Sequence, residues 1–178
     1  MLAGLAARES NHMPTMPEPR NKPTASGLDI PDPLEFLPQH SLGYLLRDTY
    51  RAFSKILQAR ISPHGVTIGQ WYFLRVLWEE DGLTQRELSQ RVGMMEPTTV
   101  TALNGMEKRG YVRRVRNATD RRKVNIFLTE KGRGLRAKLL PFAAEVNRIA
   151  AQALTPADIE KLRTILSAMK GSLEKESV

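Results

Sequence analysis

Apolar side chains recur every three or four residues in six stretches of the chain, which is the spacing of amphipathic α-helices. The stretches are Ser41–Ile61, Thr67 to about Glu80, Thr84 to about Val92, Glu96 to Gly110, Thr129 to about Ala153, and Thr155 onward. In the fourth stretch we expect Val100, Leu103 and Met106 to face the core. The pattern therefore predicts a mainly helical protein from residue 41 onward.

Two of these helices begin with the spacing of a capping box. In that motif a threonine hydroxyl and the Glu or Gln side chain three residues later bond the free amides of the first turn. Thr67 with Gln70 and Thr84 with Glu87 have this spacing. Gly93 then separates the helix that starts at Thr84 from the next one by a tight turn, which predicts a helix-turn-helix.

The residues after Gly110 change to the alternating pattern of β-strands. Tyr111–Arg116 and Lys123–Leu128 both alternate, and the segment between them contains Arg121 and Arg122. This predicts a β-hairpin with a basic tip. A helix-turn-helix followed directly by such a hairpin is a winged helix, so the predicted fold class is mainly α with a small β-hairpin wing.

The excess positive charge of the chain lies in this predicted unit. The 178 residues include 27 Lys and Arg against 19 Asp and Glu, a formal net charge of +8. Twelve basic and five acidic residues lie between Thr84 and Arg133. Such a concentration is expected of a protein that binds a polyanion. A solvated basic face without a partner would give the same composition, and the order of the residues has to decide.

Other classes of function are excluded by what the sequence lacks. There is no cysteine, which excludes disulfides, thiolate metal sites and a cysteine nucleophile, and fits a reducing compartment. The histidines, His12, His40 and His64, stand apart from one another and suggest no metal cluster or catalytic set. No apolar run approaches the roughly 20 residues that cross a bilayer. We therefore expect a cytoplasmic protein that is not an enzyme and needs no cofactor, metal or membrane.

Three sequence motifs carry a resemblance to a known family. They are L-T-Q-R-E-L at 83–88, M-E-K-R-G-Y-V at 106–112, and D-R-R-K-V-N-I-F-L-T-E-K-G-R at 120–133. Together they resemble the MarR (multiple antibiotic resistance regulator) family, over about residues 40 to 175. The resemblance implies a homodimeric regulator, most often a repressor, that binds a pseudo-palindromic site in double-stranded DNA. It also implies that the first helix and the last two helices of each chain form the dimer.

Four segments follow from the composition and the resemblance taken together. Prolines scattered through residues 1–38 without helical or strand period predict a mostly disordered tail. Residues 39–66 are expected to form a dimerisation helix, residues 67–133 the winged helix-turn-helix, and residues 134–178 the C-terminal dimerisation helices.

The resemblance also implies which residues contact DNA. In the second helix of the pair they are Pro97, Thr98, Thr99, Thr101 and Asn104, with Arg86 in the first helix and Asp120, Arg121, Arg122 and Lys123 in the wing. Asp120 is expected to orient Arg122 into a minor groove. Some relatives carry arginine at the position of Thr101, so this chain lacks the commonest guanine-reading side chain there. Arg113, Arg114 and Arg116 fit either DNA contacts or a solvated strand face.

Members of the family often respond to small aromatic or phenolic acids, which the resemblance extends to this chain. The candidate ligand residues are His40, Tyr44, Arg47, Arg51 and Trp71. An arginine pairs with a carboxylate and an aromatic side chain stacks on a ring. Alternatively, Trp71 belongs to the core and Arg47 pairs with Asp48 or Glu80. The second functional hypothesis is accordingly an architectural DNA-binding protein without a ligand.

Overall fold

The structure is a computed structural model that describes residues 37–38 and 40–176. Within these residues the chain forms six α-helices and one antiparallel hairpin. They are α1 (Leu42–Ile61), α2 (Ile68–Glu79), α3 (Gln85–Val92), α4 (Glu96–Lys108), β1 (Val112–Arg116), β2 (Val124–Leu128), α5 (Glu130–Ala150) and α6 (Pro156–Glu176). The predicted fold class, mainly helical with a hairpin after a helix-turn-helix, is confirmed. The predicted tail, residues 1–38, lies outside the described residues apart from Leu37 and Pro38.

The helix starts form as the capping patterns predict. The Gln70 amide donates to the Thr67 hydroxyl at 3.2 Å, and the Thr67 amide donates to the Gln70 side chain at 3.2 Å. The Thr84 amide likewise donates to the Glu87 carboxylate at 2.8 Å. Gly93 ends α3 with a φ of 69°, a left-handed conformation that suits glycine. The turn between α3 and α4 is therefore fixed by local sequence.

The hairpin pairs β1 with β2 so that Val112 lies opposite Leu128 and Arg116 opposite Val124. A bridge between Thr84 and Asn125 continues the pairing to the start of α3. The wing is thus bonded to the helix-turn-helix and does not project from it alone.

The core forms around α2, which contacts α1, α3, α4, α5 and β2. Phe73 and Leu74 of α2 are fully buried, as are Leu103 of α4, Ile126 of β2 and Leu139 of α5. Burial of these apolar side chains is the main favourable contribution to folding. It joins the winged helix-turn-helix and the long helix α5 in one body.

One expectation about this core is wrong. Val100 is 37% exposed, and Thr99 takes the buried position on α4 with Leu103 and Met106. The buried positions are spaced four and three residues apart, which follows the 3.6-residue period of a helix. A strict spacing of three, as in 100, 103 and 106, drifts away from the core face.

Helix α6 and the first half of α1 are apolar but exposed. None of the residues of α6 is buried. The exposed large apolar side chains of the two helices include Leu42, Leu45, Leu46, Leu162, Ile165, Leu166 and Leu173. Exposed apolar side chains that recur along a helix in this way are typical of an interaction site. Separately, no helix within the described residues has the length and apolarity that a membrane crossing requires.

The start of α5 is packed against Gly110 and Tyr111, between α4 and β1, through an unusually close approach. A Cβ at Gly132 would overlap the backbone carbonyl oxygen of Tyr111. The Thr129 hydroxyl accepts from the Gly132 amide at 3.1 Å and donates to the Gly110 carbonyl at 2.6 Å. The Trp78 indole donates to the Gly132 carbonyl at 3.0 Å. Only glycine leaves room for this arrangement.

We predict that Gly132→Ala lowers the free energy of unfolding by about 3 kcal/mol, because the added methyl group has to push two backbones apart. Gly134→Ala is the control, since no atom lies within 4 Å of a Cβ at that position of the same helix. It is expected to be neutral or to stabilise by up to about 1 kcal/mol, the helix preference for alanine. Urea denaturation at fixed protein concentration measures both. Equal effects of the two substitutions would contradict the close approach.

Candidate nucleic-acid interface

The face of α4 opposite the core presents most of the residues expected to contact DNA. Pro97, Thr98, Thr101 and Asn104 are all exposed. The Thr101 hydroxyl donates to the Pro97 carbonyl at 3.1 Å, so its proton is already used within the helix. The methyl group of Thr101 and an oxygen lone pair remain for a ligand.

Thr99 does not belong to this face. Its side chain is fully buried, so the expectation that it contacts DNA is wrong. The cause is its position on the core stripe of α4 with Leu103. Its hydroxyl oxygen has no hydrogen-bond partner among the described residues.

The tip of the wing is shaped by two short polar side chains. The Asn117 side-chain oxygen accepts from the amides of Thr119 at 3.0 Å and Asp120 at 2.9 Å. The Asp120 carboxylate in turn accepts from the Arg122 amide at 3.1 Å and from its guanidinium Nε at 3.3 Å. The Arg122 side chain is nevertheless 92% exposed. Asp120 thus holds one edge of Arg122 and leaves the rest of the guanidinium available to a partner.

A hollow of about 470 Å³ lies between the start of α3, the start of α4 and the wing. Its basic lining residues are Arg86, Arg122 and Lys123, and its acidic ones are Glu87, Glu96 and Asp120. Four of the residues predicted to contact DNA, Arg86, Asp120, Arg122 and Lys123, therefore share one concave surface. Arg121, next to them in the chain, is exposed.

Glu87 stays ionised in this hollow because of its capping role. Hydrogen bonds from the Thr84 hydroxyl and backbone amide lower the pKa of Glu87, and the charges of Lys123 and Arg91 lower it further. Its negative charge offsets part of the basic surface beside the helix start. Together with Glu96 and Asp120 it balances the three cations that line the hollow.

The residues that anchor the wing were not predicted from the sequence. The Asn125 side-chain NH2 group donates to the Gly82 carbonyl at 2.6 Å, and the Asn117 side-chain NH2 group donates to the Asn125 side-chain oxygen at 2.9 Å. Asp81 accepts from the Leu128 amide at 2.8 Å and from the Arg133 guanidinium at 2.9 Å. The signal in the sequence that could have indicated this anchor is Asn125 within β2, because asparagine is uncommon in β-strands.

The three arginines of β1 have different environments. Arg113 and Arg116 are exposed, and the guanidinium of Arg113 lies 5.2 Å from the centre of the Phe127 ring. Arg114 is only 23% exposed and forms an ion pair with Glu107 of α4. The interpretation of Arg114 as part of a solvated strand face is wrong.

The five candidate ligand residues are not gathered around one cavity. Arg47 lies with its guanidinium 4.6 Å from the centre of the Tyr44 ring. Arg51 lines a cavity of about 590 Å³ with residues of α1 and Ile68, whereas Trp71 lines another, of about 230 Å³, with residues of α1 and α5. His40, outside the helices, is exposed.

In the alternative interpretation, Trp71 belongs to the core and Arg47 pairs with Asp48 or Glu80. Trp71 is 4% exposed and belongs to the core. Glu80, proposed as a partner of Arg47, is instead paired with Arg91 at 2.7 Å. The cation beside Trp71 is Arg75, whose guanidinium lies 5.8 Å from the centre of the ring.

Comparisons with known proteins agree with this geometry. The model of the MarR family matches residues 64–123, from the end of α1 to the wing. The HTH-type transcriptional regulator TtmR of Methylorubrum extorquens is 36% identical over 114 residues, 64% of this chain and 56% of that protein, so the chain spans little more than half of that relative. An HTH-type transcriptional repressor of Mycobacterium tuberculosis is 30% identical over 126 residues, 70% of this chain and 90% of that protein.

A solved structure has the same fold. A MarR-family regulator from Listeria monocytogenes, crystallised with a 26mer DNA, superposes with a TM-score of 0.72 at 22% identity, over 76% of this chain and 91% of that one. The chain therefore belongs to the MarR family of winged-helix transcriptional regulators, as its motifs indicate. Proteins of this family are regulators of transcription and not enzymes.

The buried hydroxyl of Thr99 gives a direct test of its place in the core. We predict that Thr99→Val raises the free energy of unfolding by up to about 1 kcal/mol, because an isosteric methyl group replaces an unpaired buried hydroxyl. Thr98→Val, at the exposed neighbouring position, should change it by less than about 0.5 kcal/mol. Thermal and urea unfolding measure both. A clear loss of stability in Thr99→Val would mean that the hydroxyl has a partner.

Proposed function

We propose that this protein is a repressor that binds a pseudo-palindromic double-stranded DNA site as a homodimer. The observation that carries the proposal is the shared hollow between α3, α4 and the wing, where Arg86, Arg122 and Lys123 come together. The exposed face of α4 has the size that enters a major groove, with its first residues reaching base edges. A repressing role is supported by the mycobacterial relative, which is named a repressor.

The exposure of Arg122 and its hydrogen bond to Asp120 support the DNA-binding proposal. Its guanidinium is almost fully exposed, yet one edge is held by Asp120. A partly immobilised arginine loses less conformational entropy on binding than a free one. Narrow minor grooves have a strong negative potential that attracts arginine. Arg122 therefore suits the minor groove beside the major groove that α4 would occupy, and Arg121 and Lys123 suit the flanking phosphates.

Homodimerisation is proposed on the exposed apolar surfaces of α1 and α6. Leu45 and Leu46 of α1 and Leu162, Ile165 and Leu166 of α6 are each between 39% and 46% exposed. A second copy of the chain would remove these side chains from water, as in obligate dimers. A two-fold dimer would present its two α4 helices about 34 Å apart, the repeat of one DNA turn.

The DNA-binding proposal predicts a sequence preference and a specific role for Arg122. In vitro selection from randomised duplexes with the purified protein should enrich a two-fold symmetric sequence. Arg122→Ala should lower the affinity for that sequence by about tenfold and reduce the salt dependence of binding by about one counterion. Lys138→Ala, an exposed charge on α5 outside the hollow, should change affinity less than about twofold. Fluorescence anisotropy at several salt concentrations measures both variants. Equal losses in the two variants would contradict the role of the wing.

For the effector we propose a small aromatic carboxylate that binds beside Trp71. The cavity there is lined by Phe53 and Leu57 of α1, by Arg75, and by Asn147 of α5. An aromatic wall next to a cation suits an aromatic acid. Arg75 is thus the expected partner of the carboxylate in place of Arg47. Binding at the contact of α1, α2 and α5 would favour one dimer geometry and so alter the spacing of the two DNA-binding helices.

Benzoate, used as the probe, is expected to quench tryptophan fluorescence in a saturable way. Arg75→Met should raise the benzoate concentration needed for half-quenching by about tenfold, because a charged hydrogen bond to the carboxylate is lost. Arg47→Met removes the same charge from the exposed face of α1 and should leave the titration unchanged. The opposite result would move the carboxylate site to Arg47. The absence of saturable quenching would favour a DNA-binding protein without such an effector.

A further inference from the structure

Arg114 of the wing strand is bonded to the exposed face of α4. Its guanidinium Nη2 donates to the Asn104 side-chain oxygen at 2.8 Å. The Nη1 of the same guanidinium is paired with the Glu107 carboxylate, one turn further along α4. The Arg114 backbone amide also donates to Glu107, at 3.3 Å. Two contacts with one helix hold the guanidinium in a fixed orientation, and its charge is neutralised by Glu107.

This contact determines which end of the Asn104 amide faces away from Arg114. A guanidinium has five donors and no acceptor, so only the carbonyl oxygen of an asparagine can face it. The NH2 group of Asn104 is therefore not used in this contact, whereas the oxygen has one of its two lone pairs occupied. A second donor would have to share the carbonyl oxygen with the bonded guanidinium. Asn104 is thus presented to its surroundings mainly as a hydrogen-bond donor.

The donor orientation has consequences for base recognition. Asparagine reads adenine by donating to N7 and accepting from the N6 amino group, which uses the carbonyl oxygen as an acceptor. Guanine presents two adjacent acceptors, N7 and O6, to the major groove. An amide whose oxygen already accepts from Arg114 suits guanine better than adenine, because the N6 amino group of adenine would have to share that oxygen with the guanidinium.

We propose that Arg114 is a positioning residue for DNA recognition that makes Asn104 select guanine over adenine at one base pair of each half-site. The proposal rests on the DNA-binding function proposed above, since Asn104 lies on the exposed face of α4 with Pro97 and Thr101. It assigns a role in sequence preference to a wing-strand residue that itself need not touch DNA. Glu107 supports this role by holding Arg114.

The experiment compares base preference, and not only affinity. The wild-type protein, Arg114→Met and Asn104→Ala are each passed through the same in vitro selection, and the affinities for matched guanine and adenine duplexes are then measured. Asn104→Ala identifies the base pair that Asn104 contacts. At that base pair we expect the wild type to prefer guanine. Arg114→Met should shift the preference toward adenine by about tenfold, because the released amide can then rotate and both donate and accept.

Three further variants keep the result interpretable. Arg114→Lys retains a donor for the Asn104 oxygen and should keep the guanine preference, even where Arg114→Met loses stability. Arg113→Met removes the same charge from the same strand, but its side chain lies on Phe127, so it should leave base preference unchanged. In the double variant Asn104→Ala/Arg114→Met, the loss of Arg114 should have no further effect at that base pair.

Two outcomes would overturn the proposal. One is an unchanged guanine preference in Arg114→Met. The other is an equal loss of affinity for all duplexes, which would make Arg114 a phosphate contact or a purely structural residue. A wild-type protein that enriches no sequence at all would instead contradict the proposed DNA-binding function, and so the two failures are distinguishable.

Discussion

The close packing of the first turn of α5 against Tyr111 is the constraint on which the arrangement of the molecule depends. Gly132 permits it, and Thr129 bonds to both sides of the contact. Lys131 adds a hydrogen bond from its ammonium group to the Arg109 carbonyl at 2.8 Å. These contacts bond the end of α4 and the start of the hairpin to the first turn of α5. A change in the position of α5 would then move α4 with it, which is what a regulator needs if an effector is to alter DNA binding.

The same contact explains the structural role of the residues in the motif L-T-E-K-G-R at 128–133. Leu128 is buried, and Arg133 pairs with both Asp81, at 2.9 Å, and Glu130, at 3.1 Å. Exposed ion pairs of this kind contribute little to stability one by one. Their value here is geometric, because Asp81 also accepts from the backbone of β2 and so fixes the base of the wing. The motif therefore forms the junction between the wing and α5, while the residues proposed to face DNA lie before it in the chain.

Much of the fold could be predicted because its determinants are local. The capping boxes, the turn at Gly93 and the alternation of the hairpin each depend on a few neighbouring residues. The burial of Thr99 could not be predicted from hydrophobicity, since a threonine is buried where the apolar pattern predicted its neighbour Val100 to be. The contacts of Arg114 with α4 and the separation of Trp71 from Arg47 depend on how distant segments pack. A periodic pattern does not contain that information.

The central claim is that α4 and the wing form one DNA-binding surface, presented twice by a two-fold dimer. Chemical footprinting on the selected sequence tests it most directly, with dimethyl sulfate reporting guanine N7 in the major groove and hydroxyl radicals reporting the minor groove. The account predicts two symmetric major-groove protections about 10 base pairs apart, each flanked by a minor-groove protection from the wing. A single asymmetric protected patch, or major-groove protection without any in the flanking minor groove, would contradict it.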